Sequence, residues 1–361
     1  MKSVKLKKYA GNPILGPVAD SAWQASVVTN PAAWYDEKAD EFIMIYRAAG
    51  HDDKHLVYLG MAKSKDGFHF ERCSTEPLFA PPETGADMGC MEDPRIVKFG
   101  EYFFITYAAR MNPPGKYWEL DKGDFSNTTY VPPHFREKLP EELPIALRKN
   151  ITSTHLLITK NFKEYWRAGR MTDATVDDRD VIIFPEKING KFYTLHRPMS
   201  WTGPEYGTQF PAMWIAACDD LLEAKRLQLL AKAEFPWECK IGGSTPPLKT
   251  KDGWLTLYHG VGPDKYYRTG ALLLDLNDPT KVLCRTPDWL MEPDQQWETQ
   301  GFYKGVAFPC GNVIKGDTLF VYYGGGDVVC AVATCSVSEL LAYLKANPVS
   351  EKSELASHAV A

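Results

Sequence analysis

Short apolar runs alternate along the chain with polar breaks that carry glycine or proline, and five such units can be laid over one another. They start at Asn30 (NPAAWYDEKADEFIMIYRA), Glu92 (EDPRIVKFGEYFFITYAA), Phe184 (FPEKINGKFYTLHRP), Ser244 (STPPLKTKDGWLTLYHG) and Phe308 (FPCGNVIKGDTLFVYYG). Between the two β-type runs of each lies a tight-turn signal: Asp40, Gly100, Asn189-Gly190, Asp252-Gly253 and Gly316-Asp317. Glycine and short polar residues accept the positive φ of a hairpin turn, so each unit is predicted to be a β-hairpin. A second pair of strands follows each hairpin, with members such as LVYLGMAKSKDGFHFE, HLLITKNFKEYWRAG and TGALLLDLNDPTKVLCRT. Four strands per unit describe a propeller blade, and five units predict one all-β domain over residues 1–361, a five-bladed β-propeller. A β-sandwich would not call for five matched repeats.

Two segments depart from the period. Residues 111–147 are rich in proline and charge and predict a long inter-blade insert, expected to serve as a lid or as the contact of a homo-oligomer. SELLAYLKANP, from Ser338, predicts a short C-terminal helix, with a disordered tail over 349–361.

In a propeller the inner strands meet at the axis, so residues in equivalent positions converge. Aligning the hairpins places Arg47, Ala108, Arg197, His259 and Tyr323 in one register, with Tyr46, Tyr107, His196, Tyr258 and Tyr322 one step earlier. Neighbours on a strand face opposite sides, so only part of each pair can reach solvent. Asp93 lies between Glu92 and Pro94, and the proline keeps the segment out of a regular ladder. An acid beside a second acid, set among apolar strands, has the surroundings of a general acid, and an ion pair with Arg95 is the other use for it. Asp327 follows Gly324-Gly325-Gly326, whose backbone can approach a ligand closely, although a turn aspartate would look the same. Glu186 is a third candidate, or a surface partner of Lys187. Lys240, His259 and Arg268 come from consecutive segments of the fourth unit, and Arg170 and Arg179 precede the third hairpin. Several cations facing a neutral sugar have little purpose, whereas facing phosphate they do.

Composition narrows the partners. A net charge of −5 without a basic block gives no footprint for nucleic acid or an anionic membrane. No run approaches the length of a membrane helix, and the N-terminus lacks the apolar stretch of a secretory signal. Eight scattered cysteines without a CxxC pair read as free thiols in a reducing compartment, so the cytoplasm is expected. No metal cluster is evident and no nucleotide motif occurs, so no cofactor is expected. The aromatic share of 12% suits stacking on sugar rings, and equally suits β-sheet packing.

VTNPAA, IYRA, YLGMAKSKDGFHF, MEDPRI, FPEKINGKFYTLHRP, KIGG, LYHGV, YYRTGALLLDLNDP and YYGGGD together resemble glycoside hydrolase family 130, the mannosyl-phosphorylases and related β-mannosidases. The resemblance runs through nearly the whole chain and implies a five-bladed propeller. It implies inverting phosphorolysis of a non-reducing β-mannosyl unit, giving α-mannose 1-phosphate. It matches Asp93 to the catalytic acid, acting through a sugar hydroxyl. His196, Asp327 and Tyr267 match sugar-holding positions, with Asn30, Arg47, Glu92 and Arg197 beside them. Lys240 and His259 match phosphate ligands, with Arg170 completing the set, and Arg179 and Arg268 close by. An inverting hydrolase needs a second carboxylate to activate water, whereas phosphate is already a nucleophile. The cations at 240 and 259 therefore favour phosphorolysis. The alternative is an inverting β-mannosidase, for which Glu238 could supply an acid near Lys240, and a third reading is an inactive sugar-binding propeller.

Overall fold

A computed structural model describes residues 3–116, 142–145 and 150–349, together with the backbone of 359–360. The strands form five antiparallel sheets. Blade one runs Val27–Asp36, Glu41–Ala49, Val57–Ser64 and Glu71–Arg72, and blade two Glu92–Phe99, Tyr102–Ala109, Ser153–Thr159 and Tyr165–Arg170. Blade three runs Asp178–Ile183, Phe192–Pro198, Met213–Cys218 and Leu227–Ala231. Blade four opens with Lys240–Gly243 and Leu248–Thr250, both pairing with Gly253–Val261, and continues with Tyr267–Leu274 and Val282–Arg285. Blade five contains Ala307–Lys315, Thr318–Gly325 and Val329–Ser336, and takes its outer strand, Lys7–Lys8, from the other end of the chain.

The turn residues adopt the conformations that the sequence calls for. Asp40, Gly100, Asn189, Gly190, Gly253 and Gly316 all have positive φ. The predicted register also holds: Thr29 faces Arg47, Glu92 faces Ala108, Arg179 faces Arg197, Gly242 faces His259 and Pro309 faces Tyr323. The residues one step earlier go between the blades. Tyr46, Tyr107, Tyr258 and Tyr322 are fully buried and donate to Gln24, Asp87, Glu238 and the Gly67 carbonyl.

Apolar side chains of neighbouring blades interlock around the ring. Ile45 and Leu59 of blade one pack on Ile96 and Ile105 of blade two. Val97 and Leu156 meet Val181 and Ile183 of blade three, and Ile182 and Leu195 meet Ile241 and Leu272 of blade four. Leu257 and Leu273 then meet Val321 and Ala331 of blade five, whose Phe320 and Tyr322 close onto Phe42 and Met44 of blade one. Burial on both faces of every blade supplies the main stabilisation and fixes the strand register.

The helix at the C-terminus is present as Val337–Lys345, capped by Ser336, whose hydroxyl accepts from the Glu339 N–H. Its Leu340, Leu341 and Leu344 complete the core between blades four and five. This helix follows the third strand of blade five directly, so the fourth strand has to come from the N-terminus. The insert belongs within blade two instead of between blades: it joins Tyr102–Ala109 to Ser153–Thr159, which are hydrogen-bonded neighbours. Its base is tied by Asn112 N donating to Asn150 Oδ1 (2.9 Å) and Asn150 Nδ2 donating to the Asn112 carbonyl (3.1 Å). Most of the insert, and with it the expected lid or oligomer contact, lies outside the described residues, as does most of the tail. The tail's Ala359–Val360 pair with Leu227 and Gln228.

Candidate active site

In blades one, two and three the inner strand slips register at the same place, between Thr29 and Ala32, Glu92 and Arg95, and Arg179 and Ile182. Each slip is a β-bulge, which gives the inner strand one extra residue and re-aims a side chain. Asn30, Asp93 and Asp180 occupy these bulges with φ of 46°, 49° and 54°. Asn and Asp tolerate this left-handed region better than other side-chain-bearing residues, and such conformations gather at functional sites. Proline follows in two of the three (Pro31, Pro94), where its missing N–H costs no ladder bond.

The three side chains open into one cavity of about 910 Å³, a figure that includes open solvent at its mouth. Arg47, Glu92, Arg95, Arg110, Thr152, Thr154, Arg179, Arg197, Tyr267, Tyr303, Phe308 and Asp327 also line it. Gly324 lets blade five approach: a Cβ there would lie 1.8 Å from Asn30 Oδ1. Asp327, at the following turn (φ 58°), reaches the same space.

On the acid side, Asp93 Oδ1 accepts from Asn30 Nδ2 (2.7 Å) and Arg47 Nη1 (3.0 Å), while Oδ2 accepts from no described residue. Arg47 also lies 3.7 Å from Glu92 Oε2. The carboxyl is thus oriented by two donors on one oxygen, and the residue lines the cavity. Arg95 does not pair with the Asp93 side chain. Its guanidinium donates to the backbone carbonyls of Ser244 (2.8 Å) and Asp93, and lies 3.7 Å from Asp180.

A second part of the lining is cationic. Arg179 grips Asp177 with two bonds (2.6 and 2.8 Å), and Arg197 Nε bonds the Asp180 carboxylate. Burial alone would raise the Asp180 carboxyl, but Arg197, His259 and Arg95 outweigh it and hold it well below the usual carboxylate range. Lys240 Nζ donates to Tyr267 Oη (2.8 Å). Burial drives this amine far below the ordinary lysine range, and Arg197 and Arg179 push the same way. His259 is fully buried between Tyr267 and Phe308, and burial pushes its imidazole down too. Tyr303, stacked edge-on to Tyr267, is pushed up to about 12 by burial.

The expected site residues therefore divide into three groups. Asp93, Asn30, Arg47, Glu92, Arg197, Tyr267, Asp327 and Arg179 line one cavity. Lys240 and His259 stand directly behind its wall, acting through Tyr267 and against Asp180 (3.6 Å from His259). Three others lie elsewhere. His196 belongs to the buried face of its strand, the opposite side from Arg197, where Nδ1 pairs with Asp178 (2.7 Å) and Nε2 with Thr194 (2.8 Å). Arg268 points away from Tyr267 for the same reason, pairing with Asp264 (2.6 Å) and Glu292 (3.2 Å) over the Trp289 ring. Arg170 sits on the outermost strand of blade two, opposite His155, away from the cavity lining. Among the acids, Glu186 pairs with Lys249 at the surface, not with Lys187, and Glu238 is buried against Arg285 and Tyr258. Neither reaches the cavity.

The missed residues had a signal. Asp180-Val181 aligns with Asp93-Pro94 and Asn30-Pro31, but a third repeat begun at Phe184 leaves its inner strand out. Arg110 follows the strand Tyr102–Ala109 directly and lines the cavity together with Ala108.

Comparison with known proteins shows the family. The family profile described as beta-1,4-mannooligosaccharide phosphorylase matches residues 11–129 and 145–346. The chain belongs to glycoside hydrolase family 130. It is 34% identical to a 1,2-beta-oligomannan phosphorylase from Thermoanaerobacter sp. over 93% of this chain and 99% of that protein. It is 33% identical to a beta-1,2-mannobiose phosphorylase from Listeria innocua, over 80% of this chain and 69% of that one. The solved complex of a Listeria innocua beta-1,2-mannobiose phosphorylase with beta-1,2-mannobiose superposes with a TM-score of 0.72 at 26% identity. That match covers 95% of this chain and 99% of the solved one.

Proposed function

We propose that this family 130 propeller transfers a non-reducing β-mannosyl unit to inorganic phosphate with inversion, releasing α-mannose 1-phosphate and a shortened sugar. The observation that carries this is one cavity lined both by a carboxyl that two donors orient and by Arg179 and Arg197. Asp93 supplies the proton that the leaving oxygen takes as the C1–O bond breaks, and phosphate oxygen forms the new bond from the opposite face. Arg179 and Arg197, with Lys240 and His259 behind, hold that phosphate. Its charge makes a water-activating base unnecessary. The acids beside these arginines are committed, Asp177 to Arg179 and Asp180 to Arg197, and the neighbouring cations hold Asp180 below the usual carboxylate range, which supports anion transfer over a hydrolytic role. Asn30, Arg47, Glu92, Tyr267 and Asp327 position the sugar, directly or through Asp93.

Two relatives at 33–34% identity are named for β-1,2 linkages, which favours a β-1,2-mannoside as substrate. Eight free cysteines support a reducing, cytoplasmic setting. No helix among the described residues is long and apolar enough to cross a membrane. The test is turnover of β-1,2-mannobiose with and without phosphate. Cleavage should require phosphate, and Asp93→Asn should lower kcat by about a hundredfold or more. Mannose release at an unchanged rate in phosphate-free buffer would select the hydrolase, and full activity of Asp93→Asn would remove the assigned acid.

A further inference from the structure

Asp93 holds a left-handed backbone (φ 49°) while one of its carboxylate oxygens accepts from no described residue. The Asp180 bulge differs, because its carboxylate is itself tied down by Arg197. A conformation of this kind persists only where the surroundings over-determine it. For Asp93 the hold comes from the segment just before it, residues 87–91, at the end of the connection from blade one to blade two.

The backbone of that segment is fastened on both sides. Met91 N–H donates to the Val57 carbonyl of blade one (3.1 Å), and Gly89 N–H donates to the Arg110 carbonyl of blade two (2.9 Å). The slot is tight, since a Cβ at Gly89 would lie 2.3 Å from the Asn112 carbonyl. Side chains complete the hold. Asp87 Oδ2 accepts from Tyr107 Oη (2.7 Å) and from Arg167 Nη1 (2.7 Å), and the same Nη1 also donates to Tyr107 Oη (3.0 Å). Arg167 Nη2 donates to the Ala80 carbonyl of the same connection and lies 3.7 Å from the Met91 sulfur. Asp87, Met91 and Tyr107 are buried. Tyr107 belongs to the second strand of blade two and Arg167 to the outermost, so the connection is tied across its own blade.

Charge-assisted bonds from a planar guanidinium are strong and fix geometry as well as distance. Asp87, Met91 and Arg167 stand outside the cavity lining, so they reach the chemistry only through the chain that leads into Glu92 and Asp93. We infer that Arg167, Asp87 and Tyr107 form a clamp that positions the Asp93 carboxyl. Loosening it shifts the acid relative to the leaving oxygen and leaves the seats of sugar and phosphate in place. This rests on the reading of Asp93 as the proton donor, and holds whether phosphate or water attacks.

The test is steady-state kinetics with β-1,2-mannobiose and phosphate varied in turn, using Arg167→Met, Arg167→Lys and Tyr107→Phe, each alone and each combined with Asp93→Asn. Arg167→Met should lower kcat by about tenfold and leave both KM values within about twofold of the wild type. Arg167→Lys should recover part of that loss, and Tyr107→Phe should show a smaller loss of the same kind. In the Asp93→Asn background none of the three should lower kcat further, because the group they position is no longer an acid. An equal fall in both backgrounds overturns the inference, as does an unchanged kcat in Arg167→Met or a loss that falls on either KM instead. If Arg167→Met does not fold, an unchanged kcat in both other variants, or an equal fall in both backgrounds, overturns it equally. Full activity of Asp93→Asn alone would remove the assigned acid first, and the clamp would then have no acid to position.

Discussion

One oxygen of the Asp93 carboxyl is held by two donors, and the other accepts from no described residue. Asn30 and Arg47 both donate to Oδ1, so each should matter without touching the reacting bond. Asn30→Ala should lower kcat by about tenfold or more while leaving the phosphate KM in place, as kinetics with each substrate varied would show. A phosphate KM that rises with kcat intact would place Asn30 elsewhere. Lys240 makes a second prediction, because burial lowers its amine far below the ordinary 10.5 and only the charged form attracts phosphate. As pH rises through that lowered value the charge is lost, so the phosphate KM should climb. Lys240→Arg keeps its proton and should flatten the climb. Identical pH profiles for the two proteins would show that Lys240 does not tune phosphate binding.

The hairpin is the element that the sequence states most openly, since glycine and aspartate at the turns and apolar alternation in the strands obey local rules. The bulges are less visible. Asn30 and Asp93 advertise theirs through the following proline, whereas Asp180 precedes valine and gives no local sign, so only alignment of the repeats exposes it. Residue type alone does not say which face a cation takes. Arg197 and Arg179 proved to be wall residues, but Arg268 and His196 sit one step from a wall residue and turn away. Strand parity decides between such neighbours, and it depends on bulge positions that composition does not reveal. Arg170 failed for another reason, because its strand is the outermost of its blade.

Asp180 also makes its bulge a test of stability. Asp180→Asn would leave the buried Arg197 and Arg95 short of their carboxylate, and should cost about 3 kcal/mol in urea unfolding near neutral pH. Because the native carboxyl is depressed below its ordinary 3.8, this contribution is complete above that value. It should fade as pH falls toward the depressed native value, and the gap between wild type and variant should narrow with it. A gap that stays constant through that range would mean that the charge is not the source.

At the scale of the molecule, the ring is closed by the chain's two ends meeting in blade five. Lys7–Lys8 pairs with the strand that ends at Ser336, and Lys8 Nζ reaches the fully buried Glu298 (2.6 Å). Glu298 in turn accepts from Tyr323 Oη (3.0 Å) within the core of blades four and five. Lys8→Met leaves that carboxylate buried without its cation and should lower stability by about 3 kcal/mol in thermal or urea unfolding. An unchanged midpoint would show that the closure rests on apolar packing alone. The repeat count points to five blades, yet the source of the fourth strand of blade five does not show in the sequence, because two lysines make too short a run to stand out.

These scales meet in one claim, that the cavity sets phosphate and the Asp93 proton on opposite sides of a β-mannosyl carbon. Proton NMR of the reaction with β-1,2-mannobiose and phosphate, recorded from the first turnovers, reads the outcome directly. The account predicts α-mannose 1-phosphate as the first sugar product, with none of it and no free mannose from that unit when phosphate is left out. β-Mannose 1-phosphate, or free mannose formed at the same rate without phosphate, would contradict it.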